Sequence, residues 1–160
     1  MNRFFLSALT ALLLSVTPLF AEECSVSDYD ALVAEGKRGD DSREWGRSAE
    51  AYGKILAECR TVVRDTDLVK VYDALSVAQL MQEKYSEAIG NAGKCLELDS
   101  RYNACMMTAA KCYESIGDKS MALEYARSAA AVEAYDEYSS AMAIYAKDFI
   151  RRLEKAPPQK

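Results

Sequence analysis

From residue 27 to residue 154 the chain has no proline, and its apolar residues recur at steps of three and four, the spacing of one helix face. Short polar breaks interrupt this pattern at Gly39-Asp40-Asp41, Glu83-Lys84, Asp99-Ser100-Arg101 and Gly117-Asp118-Lys119. Helices separated by breaks this short fold back as antiparallel neighbours. Ser27 to Asp30 places an acceptor before a carboxylate three residues on, the pattern of a capping box, and predicts where the first helix starts. At the other end Tyr138, Met142, Tyr145, Phe149 and Leu153 form one apolar stripe. Asp136, Lys147, Arg151, Arg152 and Lys155 stand on the other side of that helix.

The pattern also repeats at longer range. Tyr85, Ala88, Ala92 and Cys95 follow steps of three, four and three, and Lys119, Ala122, Ala126 and Ala129 follow the same steps thirty-four residues later. Upstream, Trp45, Ser48, Tyr52 and Ile55 have the same spacing. The preceding helices match as well. Tyr72, Leu75 and Ser76 recur as Met106, Ala109 and Ala110, and Leu32 and Gly36 hold that register in the first copy.

On these residues the chain resembles the tetratricopeptide repeat family. The resemblance implies an all-α fold of helix–turn–helix units stacked into a right-handed superhelix. Three units cover about residues 29–62, 69–102 and 103–136, and a capping helix over 135–154 completes a domain spanning 22–154. The proline that the family places after each unit is absent; Arg60, Ser100 and Ala134 stand there. About six extra residues around Val63 to Leu68 separate the first two copies.

The resemblance further implies that the first helix of each unit lines a concave, partner-binding groove. Carried over, this gives Val33 and Lys37, then Lys70, Asp73, Val77 and Met81, then Ala104, Met107, Lys111 and Glu114. Asp73 and Val77 stand where a carboxylate-binding groove of this family wants Lys and Asn, so that mode is not expected here. Apolar contact plus a few charges, with an extended or helical peptide as ligand, is the expected mode. Three units are close to the minimum for a stable array, so dimerisation is a further way to complete a shallow groove.

Composition narrows the chemistry. Acidic residues number 25 against 20 basic ones, a balance opposed to nucleic-acid binding by phosphate neutralisation. No histidine is present, which removes Ser-His-Asp and Cys-His nucleophiles and histidine-based metal sites. The 7 glycines form neither a dinucleotide-binding nor a phosphate-binding loop. The 10 tyrosines include Tyr52, Tyr72, Tyr85 and Tyr113 at helix-packing positions, which reads as core. No cofactor, metal or catalytic residue is expected. The function expected is that of a non-catalytic adaptor or scaffold for a protein or peptide partner. A small-molecule or lipid-binding helical array is the alternative. A thiol enzyme using Cys112 beside Lys111 has weak support, because adjacent helical residues point about 100° apart.

The first residues change the expected compartment. Arg3, the uncharged apolar run Phe4 to Leu14, and Pro18 before Ala21 follow the order of a secretory signal peptide over residues 1–21. Cleavage after Ala21 is expected, with a retained anchor as the alternative. The protein is therefore expected to be exported, periplasmic or secreted, with a partner in the cell envelope or outside the cell. No stable membrane span is expected after removal of the signal.

All 5 cysteines fall after that segment. Cys24 precedes the first helix and Cys59 ends the second, so an antiparallel pair brings them together. Cys95 and Cys105 flank one break and can also approach, which leaves Cys112 as the odd thiol. A Cys24–Cys59 bridge would close a loop worth roughly 3–4 kcal/mol. Residues 155–160 are expected to form a disordered tail.

Overall fold

A computed structural model describes residues 24–155; the expected signal segment 1–21 and the residues 156–160 of the expected tail lie outside the described residues. Seven helices and no strand occur among the described residues. They are α1 (Val26–Ser42), α2 (Trp45–Glu58), α3 (Asp65–Met81), α4 (Tyr85–Leu98), α5 (Asn103–Ser115), α6 (Lys119–Ala131) and α7 (Glu137–Lys155). Consecutive helices pack against each other. In addition α3 touches α5, and α5 touches α7, so alternate helices form one layer over another.

The repeat register explains this stacking. Ser48, Ala88 and Ala122 hold the same place in α2, α4 and α6, and all three are fully buried. Ile55, Cys95 and Ala129 do the same two turns later. Small side chains at a repeated position let each even helix approach its partners closely. In the first unit two glycines make the approach close. A methyl group built on Gly39 would lie 2.6 Å from the backbone nitrogen of Ser48, and one on Gly36 would lie 2.6 Å from the Tyr52 ring.

Two local expectations are corrected. The capping box uses Ser25 and Asp28, not Ser27 and Asp30. The Asp28 N–H donates to Ser25 Oγ (3.2 Å) and the Ser25 N–H donates to Asp28 Oδ2 (2.9 Å). Nor does Gly39-Asp40-Asp41 break the helix, because α1 runs on to Ser42. Gly39 is there for the close approach to Ser48, and Asp40 accepts hydrogen bonds from the hydroxyls of Ser48 and Tyr52. The turn comes at Arg43 (φ 58°), and equivalent turns follow at Glu83 (φ 62°) and Gly117 (φ 85°). One left-handed residue thus closes each helix pair, and only the third unit uses the glycine that adopts it without cost.

The stripe expected on α7 is rotated. Ser139, Ala143, Ala146, Phe149 and Leu153 are its buried residues, whereas Tyr138 and Tyr145 are 50% and 40% exposed. The face of α6 presented to the core is Ala122, Ala126 and Ala129, so α7 seats its own small residues there and its tyrosines move outward. The structure joins Cys24 to Cys59 and Cys95 to Cys105, and Cys112 is a buried free thiol.

Candidate functional site

The odd-numbered helices carry all the groove residues expected from sequence, and the structure places six of them in three clefts. Between α1 and α3, Val33, Lys37 and Lys70 line a cleft of 210 Å³ together with Tyr29 and Ala74. Met81, Lys111 and Glu114 line a second, of 400 Å³, with Tyr145, Phe149 and Arg152 of α7 as its other wall. Lys70 also lies in a third cleft, of 530 Å³. Val77 is half-buried on α3 between these regions.

Ala104 and Met107 are corrections to the expected set. They are 5% and 2% exposed, and Met107 packs with Ala146 and Phe149. The physical reason is α7, which lies across α5 and covers the side that a shorter array would leave open. Nine residues of α5 are buried, from Asn103 to Cys112, so that helix is core on nearly every side.

Asp73 sits at the seam of α3 and α5. The Tyr102 hydroxyl donates to its carboxylate, and the disulfide sulfur of Cys105 lies 3.6 Å from Oδ1. Burial pushes the Asp73 carboxyl up to about 6, against the opposing pull of the Tyr102 hydrogen bond and the Lys111 charge. Its effect reaches its neighbours. Burial raises the Tyr102 phenol above its ordinary range, and the charge of Asp73 raises it further.

The 400 Å³ cleft is held by its own charges. Arg152 donates to both carboxylate oxygens of Glu114, at 2.5 and 3.1 Å, which ties α7 to α5. The Lys111 ammonium lies 4.8 Å from the centre of the Tyr145 ring. Lys111 and Glu114 are therefore engaged by α7 rather than open to solvent on every side.

The 530 Å³ cleft is different. The first turns of α3 supply Asp65, Thr66, Val69 and Lys70, the end of α4 supplies Leu98 and Asp99, and Tyr102 stands before α5. The segment entering α7 supplies Tyr135, Asp136 and Tyr138. That segment is pinned from below. The Asn103 side chain is buried and donates to the Ser139 carbonyl at 2.7 Å; Ser139 Oγ accepts from the backbone N–H groups of Tyr135 and Asp136. Asp136 in turn accepts from the Ser139 N–H at 2.7 Å. Tyr102 and Tyr135 were not singled out from sequence, and Tyr138 was read there only as part of the apolar stripe of the last helix, because the packing positions of other tyrosines made core the simpler reading. Their signal is that each stands at or beside a helix start, where a ring projects past the stacked faces.

No group of residues suited to a metal ion occurs among the described residues. Burial pushes the Cys112 thiol up to about 11, the reverse of what a thiolate nucleophile needs. Nor, among the described residues, is any helix long and apolar enough to cross a membrane.

Comparison with family models and with characterised proteins finds no match to this sequence. Solved structures do match. Pseudomonas aeruginosa PcrH, in complex with the chaperone-binding region of PopD, has a TM-score of 0.71 at 17% identity, over 82% of this chain and 94% of that one. The Yersinia enterocolitica type III secretion translocator chaperone SycD gives 0.69 at 12% identity, over 82% and 87%. The TPR2B domain of yeast Sti1, in a complex with an Hsp70 peptide, gives 0.69 at 18% identity, over 81% and 98%. These neighbours correct the expected compartment. SycD is a type III secretion translocator chaperone, which points away from the expected periplasmic export or secretion. Stacked helix pairs in a repeated register, matched over four-fifths of the chain by structures of this type, give the protein the tetratricopeptide-repeat fold.

Proposed function

We propose that the chain is a non-catalytic binding module that takes a protein or peptide segment on the face formed by α1, α3, α5 and α7. The observation that carries this reading is that residues of that face line three clefts, with α2 and α4 contributing at their edges. Val33, Lys37, Lys70, Met81, Lys111 and Glu114 line them, and each cleft joins apolar walls to a few charges. Such a surface suits a segment held by side-chain pockets rather than a small molecule enclosed on all sides. The peptide seated on PcrH and the Hsp70 peptide on the Sti1 domain support the reading by analogy of fold. Asp73 stands behind this face as the mostly buried acid bonded to Tyr102, and Val77 is half-buried beside it on α3. Met81, 51% exposed, gives the centre an adaptable apolar contact.

Site-specific photocross-linking tests this. A benzophenone side chain placed at Met81 should capture a defined partner. The same probe at Lys54, exposed on α2 away from this face, should not. Capture from position 54 and not from 81 would move the contact to the opposite layer and end the groove reading.

A further inference from the structure

The 530 Å³ cleft has a composition that sets it apart from the rest of the face. Three tyrosines, Tyr102, Tyr135 and Tyr138, and three carboxylates, Asp65, Asp99 and Asp136, share its walls. Lys70 is the one cation among the lining residues, and its ammonium lies 3.8 Å from the Asp67 carboxylate. Two arginines stand nearby. Arg60 reaches Asp65 at 3.5 Å, with both side chains more than half exposed, and such a pair is screened by solvent. Arg101 places its guanidinium 5.8 Å from the centre of the Tyr135 ring, so the chain itself already sets a cation against one of these rings.

The electrostatics agree with the geometry. Burial raises the phenols of Tyr135 and Tyr138, and nearby carboxylates add to the shift: Asp136 and Asp99 for the first, Asp73 and Asp136 for the second. Negative potential therefore reaches the ring edges from several sides. Aromatic faces beside carboxylates attract a cation through the ring quadrupole and through direct charge, while a carboxylate ligand would find Lys70 alone among the lining residues, with three carboxylates against it.

We propose that this cleft receives the basic side chain, lysine or arginine, of a peptide lying on the face described above, between the rings of Tyr102, Tyr135 and Tyr138 and the carboxylates of Asp65, Asp99 and Asp136. The proposal rests on the peptide-binding reading and adds the chemistry of the ligand. The preference is for a basic segment, with neighbouring apolar residues reaching Val69 and Leu98.

The test is a selection of displayed random dodecapeptides on the full chain, followed by affinity measurements and cross-linking from position 81. Enriched peptides should share a Lys or Arg at one position. Replacing that residue with norleucine should weaken binding about tenfold, the scale of a cation–π contact reinforced by charge. Tyr138→Leu should cost about as much, and Asp65→Asn about threefold; Tyr138 is half exposed and Asp65 largely so, so the fold tolerates both. Salt raised from about 50 to about 500 mM should weaken the wild-type complex severalfold. If groove-cross-linked peptides share no basic residue, or lose less than about twofold with norleucine, the inference falls and the groove reading stands. If free arginine amide competes as well as the peptide, a small cation is the ligand and the peptide proposal is overturned. An empty selection, or cross-links confined to the α2, α4 and α6 layer, removes both readings.

Discussion

Two clefts lie on one face of this array, and they use charge in opposite ways. In the cleft of α3, α5 and α7 lined by Met81, the charged groups of α5 are paired with α7: Glu114 has Arg152, and Lys111 has the ring of Tyr145, while Glu83 stands at the turn on its edge. In the tyrosine-walled cleft the carboxylates of Asp65, Asp99 and Asp136 outnumber the single lining cation. Charge in the first cleft fastens the last helix to the array. Charge in the second meets only local partners, Arg60 for Asp65 and backbone N–H groups for Asp99 and Asp136, above a backbone that buried Asn103 holds in place. The lesson is that α7 is both a cap and one wall of each cleft, and only one of the two walls is internally neutralised.

The sharpest way to break this contrast is at Asn103. Replacing it with Leu removes the bond to the Ser139 carbonyl and sets an apolar side chain against that buried polar junction. A loss of about 2–3 kcal/mol in urea unfolding is expected. A change below about 0.5 kcal/mol would mean that the segment entering α7 is held by something else.

Asp73, which lies behind the tyrosine cleft, comes next. Its folded carboxyl titrates at about 6, above its ordinary 3.8, so the native state holds a proton that the unfolded chain has released between those values. Stability tied to this group is therefore complete below pH 3.8 and is lost as pH rises through about 6. Tyr102, Lys111 and Tyr138 are the titratable groups that face it. Asp73→Asn should stabilise the fold by about 1–2 kcal/mol at neutral pH, less than the full shift implies because part of the carboxylate meets solvent. Near pH 4 the gain should vanish. A stabilisation equal at both pH values would show that Asp73 is not the group responsible.

Smaller effects should distinguish the fastened cleft. A double-mutant cycle of Glu114→Gln and Arg152→Met should give a coupling of about 0.5–1 kcal/mol that shrinks with salt. The cycle of Lys111→Met and Tyr145→Leu should give about 0.5 kcal/mol, the value for an exposed cation–π pair. Couplings indistinguishable from zero in both would make the contrast between the clefts one of appearance only.

The stacking could be read from sequence because it depends on small residues at fixed steps. Ser48, Ala88 and Ala122 are buried for the same reason that they recur, since a close helix crossing has room for nothing larger. What escaped that reading depends on partners that spacing does not name. Gly39 looks like a helix breaker until Ser48 is found pressed against it. Tyr138 and Tyr145 look like core until the alanine face of α6 takes Ala143 and Ala146 instead. Met107 passes for a groove residue until α7 is laid over α5. The candidate site was thus half legible: its helices and several residues came from the repeat, and its aromatic wall came from the junction after the last unit. That junction has no counterpart in the repeat to compare with.

The outer side of α7 has a consequence for assembly. It is charged, with Lys147 and an Arg151–Asp148 ion pair, and Ile144, 62% exposed, is the large apolar residue that interrupts it. A helical-repeat surface grows by adding layers until one of them refuses the next, and here the refusal lies in three hydrophilic side chains. Exchanging them for alanine and leucine would turn a terminus into a growth point, ready for a grafted helix or for polymerisation of the chain end to end.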